Sequence, residues 1–256
     1  MPSSLIFLGS SQRRLLRTGV PVLMYHYFGK APAGSHDPYL YVTANQMDAE
    51  FAALRHRGYT TATLSELAAA SGAGKTLKNR VVITIDDGAK NFFEGGMKVL
   101  AHHGFKAIQF LVAGQIGGIN EWDAKHGHPV MPLMDAGQVR EWLAEGHEIG
   151  SHSMTHRNLS KLSETEARNQ IIDSKKQLED QFEVAIRHFS YPHGKFNAMT
   201  TALVEEAGYE TACATRFGVN PVQQNLLELQ RITPLSAGQL LGKSLHRLRR
   251  VVTNRI

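Results

Sequence analysis

Two adjacent carboxylates follow a run of mostly apolar residues in the first half of the chain. Asp86 and Asp87 come after five residues, 81–85, that have the pattern of a buried strand, and Gly88 follows them. An Asp-Gly pair alone usually marks a tight turn, but the next segment, 91–103, has a helical rather than a strand pattern. Two anionic side chains at the end of a buried strand cost free energy unless a cation lies beside them. The pair therefore indicates a site that holds a positive charge.

Two histidines, His152 and His156, lie four residues apart just after another predicted strand, 148–151. On a helical turn, side chains at this spacing point the same way and can bind one metal ion. Such pairs also arise by chance in a chain with 13 histidines, so the spacing alone is a weak indication. The position strengthens it, because the end of a strand is also where the two carboxylates lie.

Two more histidines come where predicted strands stop. His193 stands between Pro192 and Gly194, residue types that specify a sharp turn with exposed backbone N–H groups. His26 is near the end of the first predicted strand, where a lone histidine is more often a packed core residue. In a parallel barrel the carboxyl ends of the strands converge on one face. We therefore expect these histidines to face the two carboxylates.

Together these residue types predict metal-assisted hydrolysis. The chain has one cysteine, Cys213, which excludes a disulfide scaffold and a cysteine-clustered zinc or iron–sulfur site. Nitrogen and oxygen ligands must therefore hold any metal. A set of one aspartate and two histidines leaves a coordination position open, as catalytic zinc requires. The remaining carboxylate is then suited to act as general base for the attacking water.

The elements that must position these residues alternate between strands and helices. Apolar or β-branched runs predict strands at 20–27, 80–85, 106–112, 148–151, 186–191 and 210–215, with a weaker one at 59–62. Capping boxes that begin at Thr43, Asp135 and Ser163 mark the starts of helices. The alternation implies an α/β fold with parallel strands and helices outside. In 256 residues without a linker or repeat, it predicts a single-domain, distorted (β/α) barrel of about seven parallel strands.

Composition excludes several other classes of protein. The 42% hydrophobic content is too high for a disordered chain. No apolar run approaches the roughly 18 residues of a membrane span, and the apolar run at 5–8 is shorter than the roughly 7–15 residues of a signal peptide. A glycine-rich dinucleotide turn is missing after the first strand. We therefore expect a cytoplasmic protein that does not bind a dinucleotide.

The net charge of +5 is a weak indication of any charged partner, and the basic residues cluster near the two ends of the chain. A solvated tail is the simpler interpretation of the C-terminal cluster. Peripheral membrane contact through the basic termini is the alternative. We do not expect nucleic-acid binding, because the chain lacks interleaved aromatic and basic residues and any known nucleic-acid-binding module.

Two motifs resemble those of a known family. Residues 84–88 (TIDDG) and 152–156 (HSMTH), in this order, are similar to the first two motifs of the polysaccharide deacetylase family, also called carbohydrate esterase family 4 or the NodB-homology domain. Residues 21–26 (PVLMYH) resemble the branch that contains the poly-N-acetylglucosamine deacetylases. The resemblance covers roughly residues 20–235, with an N-terminal extension (1–19) before it and a basic C-terminal tail (236–256) after it.

The resemblance implies a distorted (β/α) barrel that removes acetyl groups from N-acetylated or O-acetylated sugars in a polysaccharide, oligosaccharide or glycolipid precursor. Position by position, Asp86 falls on the catalytic base and His26 on the general acid of the named branch. The metal-ligand positions are those of Asp87, His152 and His156. His193 falls on the residue whose backbone N–H helps to stabilise the oxyanion. The expected cofactor is Zn²⁺, with Co²⁺, Ni²⁺ and Mn²⁺ as alternatives.

The sequence also departs from the family pattern. Ser190 stands where an arginine usually orients the base. Arg187, three residues earlier, and Arg231 are the two candidates for the missing cation, and we also expect Arg231 to contact substrate. Tyr191 and Trp122 are further candidates for sugar contact, although Trp122 alternatively packs its loop. The usual late Leu-x-His motif has no match. These departures leave a second hypothesis, a catalytically impaired carbohydrate-binding barrel.

Overall fold

A computed structural model describes residues 16–35, 37–125 and 127–234 of the chain. All of the expected C-terminal tail and most of the expected N-terminal extension lie outside these residues. Apart from Arg17, the basic residues near the two ends that suggested membrane contact lie outside them as well. Among the described helices, none is both long enough and apolar enough to cross a membrane.

Ten strands and seven α-helices alternate in the described residues. The strands are β1 (Val22–Tyr25), β2 (Tyr27–Phe28), β3 (Tyr41–Val42), β4 (Thr60–Thr61), β5 (Arg80–Ile85), β6 (Ile108–Leu111), β7 (Glu148–Ser151), β8 (His188–Ser190), β9 (Thr211–Phe217) and β10 (Leu229–Arg231). The α-helices are α1 (Ala44–His56), α2 (Leu64–Gly72), α3 (Met97–His103), α4 (Glu121–Ala124), α5 (Ala136–Ala144), α6 (Glu164–Phe182) and α7 (Ala198–Glu206). A π-helical turn, Phe92–Gly96, leads into α3.

Seven parallel strands form a nearly closed barrel. Their order is β1-β5-β6-β7-β8-β9-β10, and the short β4 pairs with β5 outside this path. The chain after β10 returns to β1. The N–H of Ile232 donates to the carbonyl of Val22 at 2.8 Å, and the N–H of Met24 donates to the carbonyl of Ile232 at 2.9 Å. The predicted single-domain (β/α) barrel is therefore confirmed.

Capping boxes begin the helices at the predicted positions. Thr43, Asp135 and Ser163 each accept a backbone N–H of the first helical turn, and a Gln or Glu side chain accepts the N–H of the cap in return. Each box satisfies two N–H groups that have no partner within the helix. Two further boxes, at Thr63 and Asn197, start α2 and α7. The sequence therefore marks where the outer layer of helices begins.

The strands bury both of their faces. On β5, Ile83 and Ile85 pack in the larger core cluster with residues of the outer helices, whereas Val82 packs in a second cluster formed mainly by strand residues. Because side chains on a strand alternate between its faces, Thr84 and Asp86 share the side of Val82. The strand periodicity thus directs Asp86 into the barrel interior.

Two strands, β3 and β10, have no counterpart in the sequence prediction, and β2 overlaps the predicted strand 20–27 only at Tyr27. These three strands contain only two or three residues each, which is too short to show a period-two alternation. The register of β10 against β9 also shifts between Leu229 and Arg231. The omission matters for the site, because β10 carries Arg231.

Candidate active site

An open groove lies at the carboxyl ends of the barrel strands, with a volume of about 1310 Å³. The predicted site residues that line it are His26, Asp86, Asp87, Trp122, His152, His156 and His193. They come from segments that follow different strands, so the strand ends converge as parallel topology requires. Tyr27 and Asp123 also line the groove. The sequence interpretation missed both, because Tyr27 continues the first strand pattern and Asp123 lies in a segment without a motif.

Asp87, His152 and His156 bring three ligand atoms together. Oδ1 of Asp87 lies 3.4 Å from Nε2 of His152 and 3.5 Å from Nε2 of His156. All three residues are buried, and their donor atoms lie within 4.8 Å of one another. A tetrahedral ion with bonds of about 2.1 Å separates its ligand atoms by about 3.4 Å. The three atoms therefore have the spacing that a small divalent ion requires.

The surrounding hydrogen bonds make these atoms electron-pair donors. Nδ1 of His152 lies 2.7 Å from the carbonyl oxygen of Ser190, which can only accept, so Nδ1 carries the proton and Nε2 of the neutral ring is unprotonated. Oδ1 of Asp87 is buried without a hydrogen-bond partner among the described residues. Two lone-pair atoms that face each other across 3.4 Å repel unless positive charge lies between them. The donor set thus fits a divalent metal ion.

Electrostatics favour positive charge at the same place. Burial raises the pKa of Asp87, but the neighbouring imidazoles of His152 and His156 outweigh it and hold this pKa well below its usual range. Burial lowers the pKa of His152, and the carboxylates of Asp86 and Asp87 outweigh it and raise this pKa. The two aspartates together thus create a site that attracts cations.

The loop from His152 to His156 is not the helical turn that the spacing suggested, so that prediction was wrong. Ser153 and His156 have φ angles of 67° and 58°, in the left-handed region, and no helix lies between the histidines. The N–H of Ser153 donates to Oγ of Ser151 at 3.2 Å, and the N–H of His156 donates to Oγ of Ser153 at 3.1 Å. Serine hydroxyls therefore fold the loop in place of helical hydrogen bonds.

The buried guanidinium of Arg231 holds the carboxylate of Asp86. Its Nη1 and Nη2 donate to Oδ1 and Oδ2 of Asp86 at 2.8 and 2.7 Å. Its Nη1 also donates to Oγ1 of Thr84 at 3.2 Å, and its Nη2 to Oγ of Ser190 at 3.1 Å. Its Nε donates to the carbonyl of Ala214 at 2.8 Å. Such a two-pronged arrangement fixes the orientation of the carboxylate as well as its charge.

This ion pair keeps Asp86 ionised. Burial raises the pKa of Asp86, but the adjacent charge of Arg231 outweighs the burial and lowers it to about 2. Arg187, the other candidate partner, lies at the surface and donates to Glu210 at 2.8 Å. Arg231 itself is buried and does not line the groove. The expectation that Arg231 contacts substrate was therefore wrong, because its donors are engaged by Asp86 and neighbouring residues.

His26 lies between Asp86 and the groove. Its Nε2 is 3.8 Å from Oδ2 of Asp86, and its ring is largely buried at the groove wall. The Nδ1 atom of His26 is buried without a hydrogen-bond partner among the described residues. The first predicted strand thus places a titratable group beside the carboxylate, as its position in the sequence suggested.

Two aromatic rings cover His156. The ring of Trp122, on α4, lies 4.3 Å from the His156 ring at an interplanar angle of 33°. The ring of His193 lies 4.5 Å from it at 67°. His193 has a φ angle of 57°, which is the sharp turn expected from Pro192 and Gly194. The sequence interpretation used only the backbone of His193, whereas its side chain also packs at the site.

Tyr191 does not reach the groove. Its side chain is fully buried, stacks on Phe196 at 4.9 Å and meets the edge of Phe189 at 5.4 Å. It belongs to the core cluster shared with the outer helices. The expected contact between the Tyr191 side chain and a sugar was therefore wrong. The turn begins at Pro192, after the strand alternation has already directed Tyr191 away from the site.

The fold is shared with a solved deacetylase structure. The Streptococcus pyogenes deacetylase PplD, determined in complex with acetate, superposes with a TM-score of 0.74 at 22% sequence identity. The superposition covers 88% of this chain and 98% of PplD. The barrel of this chain is therefore the fold that PplD adopts.

Sequence comparison identifies the family. YxkH of Bacillus subtilis (strain 168), a protein named for the polysaccharide deacetylases, is 27% identical over 226 residues, which cover 87% of this chain and 75% of YxkH. The peptidoglycan-N-acetylglucosamine deacetylase PgdA of Listeria monocytogenes is 29% identical over 130 residues, which cover 50% of this chain but only 24% of PgdA. The family model for polysaccharide deacetylase matches residues 73–212. Because that match spans more than half of the sequence, the chain belongs to the polysaccharide deacetylase family.

Proposed function

We propose that this chain is a divalent-metal-dependent hydrolase that removes acetyl groups from N-acetylated sugars. The observation that carries the proposal is the arrangement of Asp87, His152 and His156 beside the ion-paired carboxylate of Asp86. Oδ1 of Asp87 lies 3.4 and 3.5 Å from the Nε2 atoms of the two histidines. Zn²⁺ is the ion proposed, with Co²⁺, Ni²⁺ and Mn²⁺ as alternatives. The acetylated sugar belongs to a polysaccharide, an oligosaccharide or a glycolipid precursor, and O-acetyl groups are a further candidate.

Asp87, His152 and His156 would hold the metal ion. When bound, a divalent ion supplies Lewis-acid polarisation of the acetyl carbonyl and makes water more acidic. The three ligands leave room for water and substrate in the coordination shell, as in catalytic zinc sites. The burial of the three residues at the groove floor keeps the ligand atoms in position.

Asp86 acts as the proton acceptor. Its low pKa keeps it ionised at neutral pH, and the two hydrogen bonds from Arg231 fix both of its oxygens. As water attacks the acetyl carbon, Asp86 takes the proton that the water releases. A positioned general base contributes about 10²–10⁴ to the rate.

His26 and His193 complete the reaction. His26 protonates the departing sugar amine. Its Nε2 lies 3.8 Å from Oδ2 of Asp86, so the proton that Asp86 has taken passes to His26 once the two side chains close to hydrogen-bond distance in the substrate complex. The backbone N–H of His193 donates to the negative oxygen that develops on the acetyl carbon. One such donor contributes about 3–4 kcal/mol to transition-state stabilisation.

The groove is large enough for a chain of sugar rings, and Trp122 on its wall offers an aromatic surface for the apolar side of a pyranose. PgdA is named as a peptidoglycan-N-acetylglucosamine deacetylase, so peptidoglycan fragments are among the substrates to test. The second hypothesis, a binding protein without activity, rested on a missing arginine and a missing late histidine motif. Arg231 supplies a guanidinium to Asp86 from another strand, which removes the first of these reasons.

The test is acetate release by metal-stripped protein before and after addition of one defined metal at a time. The substrates are acetylated monosaccharides, chitooligosaccharides, peptidoglycan fragments and lipid-linked saccharides. We expect metal-dependent release of acetate from at least one N-acetylated sugar. Full metal content with saccharide binding but no acetate from any substrate would favour the binding protein.

A further inference from the structure

A second group of metal-ligating side chains lies on the outer wall of the barrel. Within the described residues, two groups of at least three His, Cys, Asp or Glu side chains bring their ligand atoms within 4.8 Å of one another. One is the groove site, and the other consists of Asp48, His102 and His103. None of these three lines the groove, and the deacetylation chemistry above makes no use of them.

Two helices supply the ligands. Asp48 lies in the first turns of α1, and the two histidines are the last residues of α3. Nε2 of His103 lies 2.8 Å from Oδ1 of Asp48. The contact therefore joins the beginning of one outer helix to the end of another.

The ring of His103 is held in place by its neighbours. It is 7% exposed, it meets the ring of Phe51 edge-on at 5.8 Å, and it lies 6.2 Å from the ring of Phe105. The ring of His102 stands at 88° to it at 4.9 Å. Asp48 and His102 are exposed, so one ligand is preorganised and two can adjust. A binding site of this kind needs little rearrangement and has an open path for the ion and its remaining waters.

An ion pair accounts for only part of this group. A hydrogen bond between Asp48 and His103 at the end of α3 is a sufficient explanation for those two residues, because a cation is favourable at a helix C-terminus. This hydrogen bond gives no role to His102, whose ring nitrogen lies within 4.8 Å of the ligand atoms of Asp48 and His103. The separation of 2.8 Å between Nε2 of His103 and Oδ1 of Asp48 is shorter than the roughly 3.4 Å of a tetrahedral zinc site, and the exposed Asp48 can move by that difference.

We propose that Asp48, His102 and His103 form a second metal site, which binds a divalent transition-metal ion and links α1 to α3. Two imidazoles and one carboxylate select Zn²⁺, Ni²⁺ or Cu²⁺ rather than Ca²⁺ or Mg²⁺, which prefer oxygen ligands. The site is independent of the groove and of the proposed deacetylation. Because two of its ligands are exposed, it binds its ion more weakly than the buried groove site does.

The test is equilibrium dialysis of the full chain against Zn²⁺, followed by measurement of bound metal. We expect two ions per chain in the wild type and one in Asp48→Asn and in His102→Gln, with acetate release unchanged in both. His103 stays in place, because its ring packs against Phe51 and Phe105. His56→Gln, which removes an exposed histidine from α1, is the matched control and keeps both ions.

His152→Gln separates this proposal from the proposed function, because it removes a groove ligand and leaves the outer three. We expect one ion to remain in His152→Gln and none to be retained in the double variant His102→Gln/His152→Gln. One ion in the wild type that His102→Gln leaves bound and His152→Gln abolishes would overturn the second site while leaving the groove site intact. Two ions that persist in both Asp48→Asn and His102→Gln would also overturn it.

Discussion

The carboxylate of Asp86 depends on a cation that comes from a distant part of the sequence. Its partner Arg231 lies on β10, the last strand of the barrel, and reaches it through the interior. Thr84 and Ser190 accept the guanidinium N–H groups that face them. Ser190, at the position where the family pattern has an arginine, thus accepts from the relocated guanidinium. At the scale of single residues, the proposed catalytic base and its cation are one unit.

Replacement of Arg231 tests this unit. Arg231→Gln leaves a buried carboxylate without its charge partner, and loss of one partner of a buried ion pair costs about 3–5 kcal/mol. We expect a lower free energy of unfolding by about that amount and a loss of at least about a hundredfold in kcat/KM. Arg231→Lys should recover part of the stability but not the two-pronged geometry. Urea unfolding and acetate release measure the two effects.

Arg187→Gln is the matched control, because Arg187 pairs with Glu210 at the surface. Arg187→Gln should change the free energy of unfolding by no more than about 0.5 kcal/mol and kcat/KM by no more than about twofold, since exposed ion pairs contribute little. An Arg231→Gln variant as active as this control would mean that Asp86 does not need the guanidinium.

The role assigned to His193 belongs to its backbone. Its φ of 57° is one that glycine adopts more easily than histidine. His193→Gly keeps the N–H and suits the turn, so we expect kcat to stay within about tenfold of the wild type, even though the ring contact with His156 is lost. Loss of an oxyanion donor costs about 10²–10³ in kcat. A decrease of that size in His193→Gly would show that the side chain, not the main chain, is the essential group.

At the scale of elements, the site is built by loops in strained conformations that follow regular strands. Asp87, Ser153, His156 and His193 all have positive φ angles, which cost about 1–2 kcal/mol per residue outside glycine. The surrounding barrel holds these loops in place. The strands themselves carry no such strain. Among the described residues, Asn79 and Glu183 are the other two non-glycine residues with positive φ angles, and neither lines the groove.

The turn after β8 must pack against β9. A Cβ atom on Gly194 would lie 2.6 Å from the backbone nitrogen of Thr215, and the φ of Gly194 is 64°. We expect Gly194→Ala to lower the free energy of unfolding by about 2–4 kcal/mol through strain and overlap. Because the shifted turn carries the His193 N–H, kcat should fall at least about tenfold.

Gly74→Ala provides the comparison for Gly194→Ala. Gly74 has a φ of 63° but nothing within 4 Å of an added Cβ, so only about 1 kcal/mol of backbone strain applies. Its activity should equal that of the wild type. Equal losses of stability and activity in the two variants would indicate that contact with Thr215 is unimportant.

The segment between α5 and β7 contains a histidine that resists protonation. Nδ1 of His147 accepts the N–H of Ala107 at 3.2 Å, and its ring stacks on Trp142 at 4.0 Å. Burial, together with the charge of Lys106, lowers the pKa of His147 to about 4. The unfolded chain takes up this proton near pH 6.5. The group therefore stabilises the fold fully above pH 6.5, and this stabilisation is lost as the pH falls towards 4.

His147→Asn removes the titration and keeps an acceptor for Ala107. The full pKa shift corresponds to about 3 kcal/mol, and we expect about half of it because solvent screens the charge of Lys106. Between pH 7 and pH 4.5 the wild type should therefore lose about 1–2 kcal/mol more stability than the variant. Urea unfolding at the two pH values measures the difference, and parallel losses in both proteins would refute the assignment.

At the scale of the whole molecule, the barrel and most of the site were predictable because they repeat simple patterns. The strand and helix alternation is regular over about 200 residues, and capping boxes mark the helices. The carboxyl ends of parallel strands must converge, so the sequence alone predicted that Asp86, His152 and His193 lie close together. A short motif combined with this topology was sufficient to predict that Asp87, His152 and His156, the proposed ligands, lie together.

The sequence did not predict local conformations that have no periodic residue pattern. The loop that joins His152 to His156 is shaped by serine hydroxyls rather than by helical spacing. β10 is too short for its alternation to be read. The direction of Tyr191 depends on where the strand ends, and one residue of difference moves a side chain from the groove to the core.

In the proposed mechanism, Asp86 accepts a proton beside a metal ion held by Asp87, His152 and His156. The most direct test is acetate release by Asp86→Asn with its metal content measured in the same sample. We expect about the same content of groove metal as in the wild type and at least about a hundredfold lower kcat. Near-normal deacetylation by Asp86→Asn with metal still bound would contradict the mechanism.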